Sequence, residues 1–211
     1  YTTLFRSVIN DGSIDATSQT ARGFDGVAVI DLPKNLGIGG AVQTGFKYAA
    51  RQGYHRALQF DGDGQHLVAE IPKMIAALEQ SQCDMVVGSR FLGTNAGFRS
   101  TFVRRLGIRV FDVLNSLLIR QRVTDNTSGF RLYERRTIEF LALHYPVDYP
   151  EPEAVILLGK NGFRMSEVAV EMRERQGGGS SIAGIRGAYY MIKVVLAILM
   201  TSLRKPLIKQ G

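Results

Sequence analysis

From Phe5 to Phe91 short apolar runs alternate with stretches of helical periodicity, a pattern that leaves few folds open. FRSVIN, VAVIDL, RALQF and DMVVGSRF read as strands. Between them, DGSIDAT opens a helix with Ser13 placed to cap it and Asp15 in its first turn. GGAVQTGFKYAARQG is a second helix, stopped by Gly53, and HLVAEIPKMIAALEQ a third. No linker-like or low-complexity segment interrupts the alternation, which predicts a mostly parallel α/β sheet with helices on both faces. Such sheets bind ligands at the carboxyl ends of their strands, where DGS, DGDGQH and GSR all fall.

The second half is less regular. Between Thr101 and Arg122, Phe102, Leu106, Phe111, Leu114, Leu117 and Leu118 recur at helical spacing, with arginines among them. TSGFRLYERR reads as a turn and a short strand, EPEAVILLGKNG as a helix ending at Gly162, and RMSEVAVEM as an edge strand. The last stretch is an apolar helix bounded by Arg186, Lys193, Arg204, Lys205 and Lys209. Its run Val194–Met200 is too short to span a bilayer. With Tyr189, Tyr190 and the basic flanks it fits a helix lying in a membrane interface, as does Phe102–Leu118; packing on the sheet is the alternative for both.

The formal charge of +7 favours an anionic partner: a nucleotide diphosphate, a membrane surface or nucleic acid. Nucleic acid fits worst, because the basic residues are not interleaved with aromatics in any familiar module. The lone Cys83 excludes an internal disulfide and fits a reducing, cytosolic setting. YTTLFRS makes no convincing strand-turn-helix opening, so the chain is expected to start inside a domain.

Asp61 and Asp63 lie two apart at a strand end, so in extended geometry both side chains point the same way. Two carboxylates that close repel unless a cation or a set of donors lies between them. The glycines beside them and the hard oxygen ligands suit Mg²⁺ or Mn²⁺ shared with substrate phosphates. A polar turn capping the next helix is the plainer reading. An EF-hand is excluded, because its fifth position is Gln65 and its twelfth Pro72. NLGIGGAVQTG fails the dinucleotide fingerprint at Val42, and its small residues read as close helix packing. Arg131, beside a Ser-Gly turn, suits either a bidentate phosphate clamp or a structural ion pair. RERQGGGSSI suits either a phosphate-cradling loop or a plain flexible turn.

Taken in order, NDGSIDAT, NLGIGGAVQTG, FDGDGQH, VVGSRF, DNTSGFRLY, EPE and RERQGGGSS resemble the family-2 glycosyltransferases of the GT-A fold. The dolichyl-phosphate mannose synthase-like branch, which moves a sugar from a nucleotide to a polyprenyl phosphate, is the most similar. The resemblance runs from about Val8 to the C-terminus. It implies a GT-A domain over residues 1–181, its first strand missing, followed by an amphipathic helix over 182–211. It implies an inverting, metal-dependent transferase, peripheral on the cytoplasmic face of the membrane, with a GDP- or UDP-linked donor. By the same resemblance Asp11 contacts the nucleotide, and Asp61, Asp63 and Gln65 form the Mg²⁺ or Mn²⁺ site. Arg90 faces the donor diphosphate, and Arg131, Arg175 and Ser180 the acceptor phosphate. Asp125 and Glu153, with Arg131, complete the catalytic set. Two other readings stay open: transfer to a sugar hydroxyl, and a non-catalytic domain. The family's lysine after the R-x-x-G-x-S serine is replaced here by Ser181.

Overall fold

The computed structural model describes residues 5–92, 116, 118–173 and 185–208. The expected strands form where the apolar runs stand: β1 (Arg6–Asn10), β2 (Val27–Asp31), β3 (Arg56–Gln59), β4 (Met85–Ser89), β5 (Arg131–Glu134) and β6 (Met165–Ala169). Among the described residues six α-helices accompany them: α1 (Thr17–Arg22), α2 (Gly37–Arg51), α3 (Ile71–Ser81), α4 (Arg135–His144), α5 (Pro150–Lys160) and α6 (Ile185–Leu203). The helix expected over Phe102–Leu118 lies almost entirely outside the described residues.

The strands make two sheets rather than one. β1 and β2 pair in parallel, with Val8 opposite Val29. The other sheet runs in the order β3-β5-β4-β6. Within it β4 and β6 are parallel, while β5 runs antiparallel to both its neighbours. The architecture is therefore α/β with mixed strand direction. α2 packs on both β1 and β3 and so joins the two sheets. At their entry ends Phe5 stacks on Tyr54, ring centroids 5.6 Å apart.

Every residue of β4 is buried, as expected of a central strand covered on both faces. On one face Met85, Val87 and Tyr133 meet Phe46 of α2, Ile138 and Leu141 of α4, and Val155 and Leu158 of α5. On the other, Val86, Phe130 and Leu132 meet Met74 and Leu78 of α3. The first face seats α2 closely: a Cβ on Gly39 would come within 2.7 Å of the Val147 carbonyl oxygen. That close approach is the use of the glycine-rich NLGIGG stretch, and no ligand is needed to account for it.

Local capping departs from expectation at α1. Ser13 does not cap it; its amide donates to Asn10 Oδ1. The helix starts later, where the amide of Thr17 donates to Asp15 Oδ1 at 3.0 Å.

Tyr133 is completely buried, which pushes its phenol up to about 12, and burial likewise raises Tyr145 well above its ordinary value. Between pH 10 and 12 the unfolded chain has released the Tyr133 proton while the folded chain retains it. Stability therefore falls as pH rises through that window, by about 1.4 kcal/mol per unit for each such tyrosine. The expected result is a thermal midpoint that drops steeply above pH 10 and is recovered at pH 11 by Tyr133→Phe.

Candidate active site

β3 delivers the chain into a tight acidic turn. Gly64, at φ +77°, reverses it, and Asp63 Oδ1 accepts the Gln65 amide at 3.0 Å. The Asp61 amide donates to His66 Nδ1 at 3.0 Å, while His66 Nε2 lies 3.8 Å from Asp61 Oδ2. The imidazole is buried, stacked on Phe130 at 4.8 Å and edge-on to Phe60 at 5.3 Å. Burial pushes it below its ordinary value, against the opposing pull of Asp61 and Asp63. The Asp61 side chain keeps 39% of its surface exposed. A Cβ on Gly129 would come within 2.5 Å of Asp61 Oδ2, so the backbone of the 125–131 loop lies directly against that carboxylate.

Two carboxylates with Gln65 in the same turn make a hard-oxygen donor set, the chemistry that Mg²⁺ and Mn²⁺ take. Among the described residues no three acidic, histidine or cysteine side chains gather to hold an ion alone. These residues fit a divalent ion that completes its coordination with phosphate oxygens of a ligand.

Arg90, just past β4, is the second charged group at this end of the sheet. Its guanidinium grips Asp125 bidentately, Nε to Oδ2 at 2.8 Å and Nη2 to Oδ1 at 2.6 Å, and Nη2 also reaches Thr127 Oγ1 at 2.7 Å. The Arg90 amide adds a third bond to Asp125 Oδ2 at 3.0 Å. Asp125 is fully buried, so its carboxylate is engaged in holding Arg90. The loop is fixed from below by Glu167 of β6, which accepts the amides of Thr124 and Asp125, each at 2.8 Å. Burial raises the Glu167 carboxyl despite those donors.

Arg131, expected to face a phosphate, is turned inward and fully buried. It donates to three backbone carbonyls: Ser128 at 2.8 Å, and Asn126 and Glu151 at 2.9 Å each. This geometry cross-braces the 125–131 loop to the start of α5. Glu153, expected in the catalytic set, is also elsewhere. It accepts the Tyr149 amide at 2.9 Å, closing the N-terminus of α5, and the Thr201 hydroxyl of α6 at 3.0 Å. The other glutamate of EPE is Glu151. Burial raises Glu151 above its ordinary range, Arg131 opposes that rise, and Asp61 adds to it.

Asp11 follows β1. Its Oδ1 accepts the Leu36 amide at 2.6 Å, and its carbonyl accepts Asn35 Nδ2, tying the strand end to the entry of α2. A Cβ on Gly12 would come within 2.9 Å of the Asn35 amide nitrogen, and Gly12 has φ +74°. Arg175 and Ser180 lie outside the described residues. The segment leading to Arg175 is anchored to the acidic turn, the Arg173 amide donating to the Gln65 carbonyl at 2.9 Å beside a bridge from His66 to Met172.

Sequence reasoning thus passed over His66, Gly129, Glu151 and Glu167. The first ends the DGDGQH motif itself, and the nearness of Glu151 to Glu153 offered a choice that only the helix phase resolves. A cavity of about 730 Å³ lies apart from all of these, lined by Val8, Phe24 and Val27 on the face of the β1–β2 sheet away from α2.

Comparison with known proteins identifies the family and the fold. The Glycosyl transferase family 2 model matches residues 7–141. Polyprenol monophosphomannose synthase of Mycolicibacterium smegmatis is 28% identical over 89% of this chain and 73% of that protein. Undecaprenyl-phosphate mannosyltransferase of Micrococcus luteus is 26% identical over 84% of this chain and 75% of its own length. The UDP-N-acetylglucosamine–dolichyl-phosphate N-acetylglucosaminyltransferase of Methanococcus voltae is 31% identical over 69% of this chain and 59% of that protein. In fold, the chain superposes with a TM-score of 0.59 on glucosyl-3-phosphoglycerate synthase from Mycobacterium tuberculosis, solved with Mn²⁺, UDP-glucose and phosphoglyceric acid. That likeness covers 97% of this chain and 69% of the other, at 17% identity. The resemblance to the dolichyl-phosphate mannose synthase-like branch holds in these relatives. The chain belongs to glycosyl transferase family 2 and is a glycosyltransferase of the GT-A fold.

Proposed function

We propose that this chain transfers a sugar, with inversion, from a GDP- or UDP-linked donor to a polyprenyl phosphate, with Mg²⁺ or Mn²⁺ held at Asp61, Asp63 and Gln65. The observation that carries the reading is the Asp61–Asp63 turn, partly exposed at a strand end and backed by Gly129 and His66. The relatives named for polyprenyl-phosphate acceptors support the same reading.

A bound divalent ion would offset the charge developing on the departing nucleoside diphosphate. Asp11, at the mouth of α2, holds the nucleotide end, and Arg90, oriented by Asp125, presents positive charge towards the diphosphate. A phosphate acceptor is already anionic at neutral pH, so its oxygen attacks the anomeric carbon without a strong base. Asp125 and Glu153, the expected bases, are both occupied by donors, which favours an acceptor that needs none. A hydroxyl acceptor is the second reading. Glu151 favours it, because a carboxyl raised above its ordinary value by desolvation is a stronger base than a free one. Incubating membranes and chain with labelled GDP-mannose, UDP-glucose and UDP-N-acetylglucosamine separates the two. The first reading yields an organic-extractable sugar monophosphate that survives Glu151→Gln; the second yields none.

The tail of such an acceptor lies in a membrane, and α6 supplies a surface for it. Val194, Ile198 and Thr201 are buried on the protein, whereas Leu196, Leu199, Met200, Leu203 and Leu207 are exposed on the other side. Arg204 and Lys205 close the stripe. No helix among the described residues is long and apolar enough to cross a bilayer. This stripe serves as a peripheral contact with the cytoplasmic membrane surface, and residues 182–211 are the unit that makes it. The expected outcome in flotation at low salt is binding to anionic vesicles that Leu199→Glu with Leu203→Glu removes; no flotation of the unaltered chain sinks the membrane assignment.

A further inference from the structure

The acidic turn contains a buried aromatic ring that no step described so far uses. His66 sits in a slot between Phe60 and Phe130, rings whose centroids are themselves 5.7 Å apart and edge-on. A phenylalanine would fill that slot as well by shape, so packing alone does not call for two nitrogens. Both nitrogens lie near Asp61, one hydrogen-bonded to it and the other in longer-range electrostatic contact. Nδ1 accepts the Asp61 amide at 3.0 Å, which leaves the proton of the neutral ring on Nε2, 3.8 Å from Asp61 Oδ2. The same oxygen is bounded on another side by the backbone at Gly129, where a methyl group would stand 2.5 Å away. The Asp61 carboxylate therefore has the imidazole Nε2 on one side and, on another, a stretch of backbone that has no side chain.

We propose that His66 is a positioning residue for Asp61: its two nitrogens set the backbone and the carboxylate of that aspartate in the orientation the acidic turn needs. The inference rests on the reading of Asp61 and Asp63 as the pair that binds a divalent ion beside the diphosphate. A carboxylate able to rotate freely binds an ion more weakly, and loss of such an outer partner typically lowers metal affinity 10- to 100-fold.

Two variants separate positioning from packing. His66→Phe keeps the ring in its slot and removes both nitrogens. His66→Gln spoils the stack but returns an amide donor near the place of Nε2. The measurement is Mn²⁺ affinity of the full chain with UDP or GDP present, read from the electron paramagnetic resonance signal of free Mn²⁺, alongside the thermal midpoint. The expected result is a 10- to 100-fold weaker affinity for H66F with its midpoint close to that of the unaltered chain. H66Q is expected to bind more tightly than H66F although it melts lower. A role in packing alone ranks the variants the other way, with H66F binding like the unaltered chain, and that order overturns the proposal. If H66F does not fold, H66Q decides: affinity within about threefold of the unaltered chain supports positioning, and a larger loss overturns it. If the unaltered chain itself takes up no Mn²⁺ with either nucleotide, the reading of the acidic turn as a metal site fails, and this inference with it.

Discussion

Asp63→Ala is expected to abolish metal-dependent sugar transfer while leaving the chain folded. The side chain accepts the Gln65 amide within its own turn, a local bond at the surface end of β3. The lost hydrogen bond costs about 1 kcal/mol at most. The catalytic cost is larger, because the carboxylate acts where charge builds on the leaving diphosphate. Removing one such electrostatic partner lowers kcat by roughly 10²–10³-fold. Release of nucleoside diphosphate from the active donor, followed against Mn²⁺ concentration, gives the measurement. A variant with undiminished turnover removes Asp63 from the site.

The second large effect is on stability. Arg131→Lys is expected to weaken the whole domain, because three carbonyls that a single planar guanidinium satisfies would share one ammonium with the wrong geometry. Leaving two of those buried carbonyls without a donor costs about 2–6 kcal/mol, at about 1–3 kcal/mol each. For a chain of this size that lowers the thermal midpoint by roughly 10 °C. Were Arg131 instead a phosphate clamp, the lysine variant would melt like the unaltered chain and lose acceptor affinity alone. Calorimetry with acceptor kinetics on one preparation distinguishes these outcomes.

Much of the sheet was legible because its strands are short apolar runs bounded by polar turns, as at VAVID and MVVGS. The direction of β5 was not, since the order of strands is a property of the closed chain and leaves no local mark. α4 was missed because ERRTIEFLALH opens with a basic pair directly after a strand, and its buried face, Ile138 and Leu141, emerges only against α2. The site divided in the same way. Asp61 and Asp63 were legible as a pair because their spacing, two apart after an apolar run, stands in the sequence itself. Arg131 could not, because its partners are backbone carbonyls from positions 126, 128 and 151, which no side-chain pattern announces. Glu151 and Glu153, two apart on a helix, point about 200° apart, and Glu153 is the one that meets α6.

The joining of the two sheets through α2 has an energetic side. β1 and β2 contribute no residue to either buried core cluster, and β2 rests chiefly on β1 and the short α1. The β1–α1–β2 segment can therefore open while the β3–β6 core stays shut, as a cooperative unit of lower free energy than the whole. Asp11 sits at the seam between that unit and α2. On the reading proposed above, a nucleotide held there spends part of its binding energy on ordering the looser half of the molecule against the firmer one.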